Sequence, residues 1–196
     1  MKRALPLTAL TILCVVIACS AYAHKIRHVH KVKVKAPVSH LDSNIDTISP
    51  YNLLYFAQSL IGTPYREASS DPLRGFDCSG FVSYVFKSFN ANVPRSSGDY
   101  ADLGRKISLA DARPGDIILF KGTKSHHPHS IGHVGIVYSN DGNELRFIHS
   151  TSGREYGVTI SSMDEGNYKR RFIKVVRLLK QNDFLQAPEV FQAQVN

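Results

Sequence analysis

The apolar residues of this chain change their spacing once, near its middle, and that change restricts the fold more than any other feature. Before it, apolar residues recur at helical intervals; after it, they fall into short runs with the period of strands. In "SPYNLLYFAQSLIG", Ser49 is placed to cap a helix, Pro50 suits the first turn, and Gly62 ends it. Leu53, Leu54, Ala57 and Leu60 or Ile61 give that helix its buried stripe. A second helix is predicted over 78–89, with Phe81, Val82, Val85, Phe86 and Phe89 facing the core. "PRSSGDYADLG" suggests a short third helix capped near Ser96 or Ser97, and "TPYREASSDPLRGF" reads as a loop. Strands are predicted over 116–120, 133–139, 144–150, 157–160 and 170–179. Helices first and antiparallel strands afterwards define an α+β domain, with N-terminal helices packed on a central antiparallel sheet.

The N-terminus stands outside this pattern. Met1-Lys2-Arg3 is a basic start, and residues 4–18 are apolar apart from Thr8 and Thr11. The run is too short to span a bilayer comfortably and reads as an export signal. Two processing sites compete. "AYA" at 21–23 would leave a mature chain from His24, whereas "VIAC" resembles a lipobox that would make Cys19 a lipidated terminus and membrane anchor. The organisation expected is a signal over 1–23 (or 1–18), a basic His-rich linker over 24–48, one domain over 49–180 and a polar tail over 181–196.

Charge is distributed unevenly. Seven of the 24 Lys and Arg precede Asp42, the first acidic residue, which leaves 17 against 16 Asp and Glu in the remainder. The folded part is nearly neutral, so a nucleic-acid footprint is not supported. The basic linker is either a solvated tether or an electrostatic contact with anionic lipid or wall polymer.

Against an exported background, the cysteines are informative. Of Cys14, Cys19 and Cys78, the first leaves with the signal and the second leaves or carries lipid, so Cys78 has no partner for a disulfide. It is a buried small hydrophobe, a dimer-forming thiol or a nucleophile. Its place at the first turn of the second helix favours the nucleophile, because unpaired N–H groups there lower a thiol pKa and can hold an oxyanion. Asp77 or Ser79 can cap that helix, and "SG" after the cysteine keeps the approach uncrowded.

A base is found by register. "HVGIVYSNDGNELRFIHS" reads as a hairpin, and a turn centred on Asp141 places His133 directly opposite His149 on one face. A bulge would break that register. On this reading His133 takes the proton of Cys78 and His149 fixes its tautomer. His126, His127 and His129, in "KGTKSHHPHSIGH", have no standard ligand spacing for zinc, so no metal and no cofactor is expected.

Together, "GTPYREASSDPLRGFDCSGFVSYVF", "LADARPGDIILF", "IGHVGIVYSNDG" and "FIHSTSGREYGV" resemble the NlpC-type cell-wall cysteine peptidases. The resemblance implies a papain-like α+β fold and hydrolysis of peptidoglycan stem peptides, typically between γ-D-glutamate and the diamino acid. It implies Cys78 as nucleophile, His133 as general base and His149 as third, polar member. It also implies Tyr65 beside the cysteine, and Asp77 and Ser79 as residues recognising the free amino end of the stem peptide. Arg95, in "VPRSS", either pairs a substrate carboxylate or makes a surface ion pair. An exported monomer in the periplasm, cell envelope or medium is expected. Two other uses of the same fold stay open: a non-catalytic wall-binding protein, and an amidase or acyltransferase with the same three residues.

Overall fold

The computed structural model describes residues 43–123 and 130–183. The two processing sites, most of the basic linker, the polar tail from 184 and the His126–His129 run lie outside the described residues. Among the described residues, no helix is long and apolar enough to cross a membrane.

Helix α1 spans Pro50–Gln58, and the Ser49 hydroxyl accepts from the Asn52 N–H at its start. Leu53, Leu54 and Ala57 are fully buried as expected. The helix ends four residues before Gly62 in a series of turns, which leaves Ile61 about half exposed and outside the stripe. Gly62 itself has φ +87°, a conformation other residues rarely adopt.

The segment expected to be a loop forms a small antiparallel ribbon, β1 (Ser70–Asp71) paired with β2 (Gly75–Phe76). It leads directly into α2, Cys78–Lys87, the buried helix of the domain. Its start is a tight joint. The Ser69 carbonyl accepts from the Asp77 N–H at 3.0 Å, and a Cβ on Gly80 would lie 2.0 Å from that same oxygen. Only glycine lets the helix sit this close to the ribbon. The third helical segment, Ser97–Asp102, is a 3-10 helix.

A six-stranded antiparallel sheet follows: β3 (Arg105–Ile107), β4 (Ile117–Lys121), β5 (Ile131–Asn140), β6 (Leu145–Thr151), β7 (Gly157–Ser162) and β8 (Phe172–Arg177), in the spatial order β3-β8-β4-β5-β6-β7. One helical turn, α3 (Tyr168–Arg171), precedes β8 where the strand pattern had been expected to begin at residue 170. Strand β3 was not anticipated; its three residues are too few to show a period.

Both faces of the sheet are covered. Ile117, Leu119, Val134, Ile136 and Ile148 pack with Phe81, Val82, Val85 and Phe86 of α2, while Ile118, Phe120, Val137, Phe147 and Val175 form a second cluster on the opposite face. Alternate residues of one strand thus serve different cores, which is why β4 reads as an unbroken apolar run. Beneath β4, Arg177 pairs bidentately with Asp116 at 2.9 Å on both contacts, buried and supported by the Arg113 N–H and Asn182.

The β5–β6 hairpin departs from the expected register. Asn140 pairs with Leu145, and a bulge between Val137 and Ser139 shifts the ladder so that Val137 faces Phe147 and Ile136 faces Ile148. His133 and His149 are therefore offset by two residues and meet diagonally, not directly opposite. The longer turn, closed by the Asp141 side chain on the Asn143 and Glu144 N–H groups, displaces the register. A second irregularity precedes His133: Phe120 faces His133 but Lys121 faces Ile131, so Gly132 is the extra residue. There the two backbones almost touch; a Cβ on Gly132 would lie 2.4 Å from Gly122 Cα.

The joint at Gly80 predicts a large effect from a small change. Gly80→Ala should destabilise the domain by about 2 kcal/mol or more, as overpacking against backbone does. Urea unfolding measures it, with Gly142→Ala as a contrast, since a Cβ on Gly142 meets nothing within 4 Å and only its positive φ opposes substitution.

Candidate active site

Cys78 is the first residue of α2 and is partly buried. Asp77 caps the helix: its Oδ1 accepts from the Gly80 N–H at 2.7 Å and from the Ser79 hydroxyl at 3.2 Å. Arg95 reaches back across the joint to the same carboxylate, with Nη1 on Oδ1 at 2.9 Å and Nη2 on Oδ2 at 2.6 Å, and Nη1 also donates to Ser79 Oγ at 3.1 Å. The carboxylate that Arg95 pairs bidentately is thus inside the protein. The Asp77 side chain is 12% exposed and that of Arg95 44%. Asp77, Ser79 and Arg95 form one polar cluster holding the helix start; none of them lines the cleft that contains Cys78, and Arg95 faces a separate groove bordered by Tyr84 and Asn92. Asp77, expected to meet a substrate amine, is paired with Arg95 in the free protein.

The cleft measures about 520 Å³ and is lined by Tyr65, Glu67, Cys78, His133, Tyr156, Tyr168 and Arg171, with small residues between. Tyr65 stands at the cysteine, as expected, and its ring packs against Tyr156 with centroids 5.8 Å apart. Burial, and then the neighbouring Cys78 and Asp77, push the Tyr65 hydroxyl pKa up.

His133 and His149 are in contact. His133 Nε2 lies 2.9 Å from His149 Nδ1, and His149 Nε2 lies 3.1 Å from Ser161 Oγ. The diagonal offset makes this possible because Gly135 stands between them; a Cβ there would crowd the Phe147 ring at 2.9 Å and His149 Cβ at 3.2 Å. Since Nε2 is engaged with His149, Nδ1 is the nitrogen of His133 left for the cleft. The Val134 N–H, next in sequence, reaches the Cys78 sulfur. So α2 and β5 bring Cys78 and His133 to one cleft.

The electrostatics differ from the expectation in one respect. Burial pushes the Cys78 thiol up, outweighing the N–H groups of Val134, Ser79 and Cys78 itself, which pull it down. Burial, with Arg171 nearby, lowers His133 to about 3, and His149 is held well below its usual value by burial, His133 and Arg171. Burial thus favours the neutral forms of both Cys78 and the two histidines.

Four residues were not found from sequence. Ser161 ends the histidine chain. Tyr168 stacks on His133 with centroids 6.3 Å apart and rings inclined by 27°, and Arg171 lies over Tyr168 at 5.7 Å. Tyr156 faces Tyr65 from a residue with φ +42°. They sit in turns and strand ends whose positions depend on the tertiary fold. Among the described residues, no group of three His, Cys, Asp or Glu is placed to hold a metal.

A cysteine at the start of a buried helix, set against histidines of an antiparallel sheet, is the papain-like α+β arrangement. Within that class, the sequence model of the NlpC/P60 family matches residues 62–177, and the chain belongs to this family. It is 34% identical over 122 residues to the murein DD-endopeptidase MepS/murein LD-carboxypeptidase of Escherichia coli K12, covering 62% of this chain and 58% of that protein. It is 36% identical over 122 residues to the gamma-DL-glutamyl hydrolase of Bacillus subtilis 168, covering 62% of this chain and 27% of that protein. The chain thus spans less than two thirds of the length of these curated relatives. A crystal structure of an NlpC/P60 family protein from Bacillus cereus superposes with a TM-score of 0.59 at 28% identity, covering 67% of this chain and 41% of that one.

Two results are expected. Asp77→Ala removes a cap and leaves Arg95 unpaired, costing about 1–2 kcal/mol in urea unfolding, whereas Asp77→Asn retains the cap and costs less. The buried histidines also set a pH dependence. His133 titrates near 3 when folded against 6.5 in its ordinary state, so over that interval the unfolded chain binds protons the folded chain does not. Stability is full above about pH 6.5 and falls as the pH drops toward 3, by at most about 1.4 kcal/mol per unit for this group. Comparing unfolding at pH 7 and pH 5, His133→Gln should lose less stability than the wild type.

Proposed function

We propose that the protein is a cysteine endopeptidase of peptidoglycan stem peptides, with Cys78 as nucleophile, His133 as general base and acid, and His149 as the residue that orients His133. The observation that carries the reading is the 2.9 Å contact between the two imidazoles behind a cysteine in the same cleft. It supports one assignment of protons. His133 must present an unprotonated Nδ1 to the thiol, so its Nε2 carries hydrogen and donates to His149 Nδ1; His149 then donates from Nε2 to Ser161 Oγ.

The reaction follows from these positions. The thiol proton passes to His133 Nδ1 as sulfur adds to the scissile carbonyl carbon. N–H groups of the first turn of α2 receive the developing oxyanion. The C–N bond breaks as His133 returns the proton to the departing amine, leaving a thioester. Water then adds with His133 as base, the acid product departs and the thiol is restored. His149 stabilises the transient imidazolium across the Nε2–Nδ1 contact without itself accepting the proton.

The bond proposed is that between γ-D-glutamate and the diamino acid. A cleft with charged walls, Glu67 and Arg171, suits a charged peptide better than a lipid chain. This substrate requires export, for which the N-terminal signal provides the route, by secretion or by lipidation at Cys19. Tyr65 is assigned to packing against the substrate beside the nucleophile. Asp77, Ser79 and Arg95 are assigned to positioning the helix start.

Digestion of purified sacculi followed by mass spectrometry of the released muropeptides checks activity and bond together. Wild type should release fragments with new γ-D-glutamyl carboxylates. Cys78→Ala and His133→Ala should abolish release, and His149→Ala should retain a small fraction, on the order of 1–10%, as expected when an orienting group is lost. Full release by Cys78→Ala would end the thiol mechanism. Fragments cut only at D,D cross-links would keep the mechanism and change the bond.

A further inference from the structure

Arg171 is the cation of the cleft that the reaction above does not use. It is partly buried at the end of α3, and its position is fixed from two sides. Its Nε donates to the Lys121 carbonyl at 2.9 Å, and its guanidinium lies over the Tyr168 ring. Among the described residues, no carboxylate pairs it, although Asp116 and Asp77 each hold an arginine of their own. With Nε engaged, the paired Nη donors remain for a ligand, and a planar fork of this kind matches a carboxylate. The other formal charge lining the cleft is Glu67, which neighbours Tyr65. Arg171 instead shares the wall of His133, through Tyr168.

The wall decides which part of the substrate Arg171 meets. His133 delivers a proton to the departing amine, so the residue carrying that amine lies on the histidine side. We propose that Arg171 binds a carboxylate of the residue whose amine is released, and so selects the leaving side of the substrate. This rests on the peptidase reading above. It makes Arg171 a specificity residue, and a leaving residue whose carboxylate is masked as an amide is a poor substrate. With no carboxylate paired to it among the described residues, this partly buried cation gains a charged partner when the anion arrives, which turns desolvation into discrimination.

The test uses L-alanyl-γ-D-glutamyl-diaminopimelate and its two monoamides on the diamino acid, with the full domain. Wild type should favour the free acid over one of the amides by at least about tenfold in kcat/KM, mostly through KM. In Arg171→Gln that ratio should collapse toward one, and Arg171→Lys, which keeps charge but not the fork, should fall between. The ratio is unaffected by a general loss of activity. Wild type indifferent to both amides, or Arg171→Gln with the preference intact, would overturn the proposal. Calorimetric binding of the same three peptides to Cys78→Ala, with and without Arg171→Gln, separates this idea from the proposed reaction. Discrimination in binding without turnover would sink the peptidase and keep the carboxylate site. Turnover without discrimination would do the reverse. If Arg171→Gln does not fold, as judged by circular dichroism, Arg171→Lys decides: an unchanged ratio overturns the proposal and a reduced one supports it.

Discussion

The domain is organised around the carboxylate of Asp77. One residue caps α2, holds Ser79 and pairs both terminal nitrogens of Arg95. Its own N–H is given to Ser69, and Gly80 lets that carbonyl approach. These contacts fix the start of the helix in position and in direction, and Cys78 is the next residue along. Such a network has little tolerance. With one partner removed, the others are left partly buried without compensation, which costs more than the interaction had contributed. Cys78 is thus placed by groups that do not line its own cleft.

The second constraint is that the two histidines share a dry environment. Phe120, Phe147 and Tyr168 surround them, and neither ring carries charge at rest. A neutral pair is the form that burial favours, and it is also the form required of a base. In the reaction proposed, the charge created falls on a ring already hydrogen-bonded to a neighbour that is itself anchored to Ser161. The sheet contributes rigidity and the bulges contribute aim.

Much of this was legible in the sequence, and the failures share a cause. The change of apolar period exposed the α+β class, and the pattern around Cys78 placed that cysteine at a helix start. Shared parity placed both histidines on one face. Their offset was not legible, because the bulge at the β5–β6 hairpin arises from a four-residue turn satisfied by Asp141, and a longer turn reads much like a shorter one. Asp77 was read as a cap with a possible second role toward substrate; the arginine that pairs it, Arg95, lies 18 residues away and had been read as meeting a substrate carboxylate or making a surface ion pair, with no partner named. Tyr168 and Arg171 occupy one helical turn that overlaps the start of what looked like a strand. Their importance comes from where β8 lies beside β4, which no local pattern encodes.

The near contact of Gly122 and Gly132 has a further consequence. It closes the connection between β4 and β5 at its base, immediately before His133. A loop whose two ends are already joined pays the entropy of closure at the clamp, and each doubling of its length then adds only about 0.6 kcal/mol. Gly122 and Gly132 also line the cleft, so the clamp ties one edge of the cleft to the strand that carries His133.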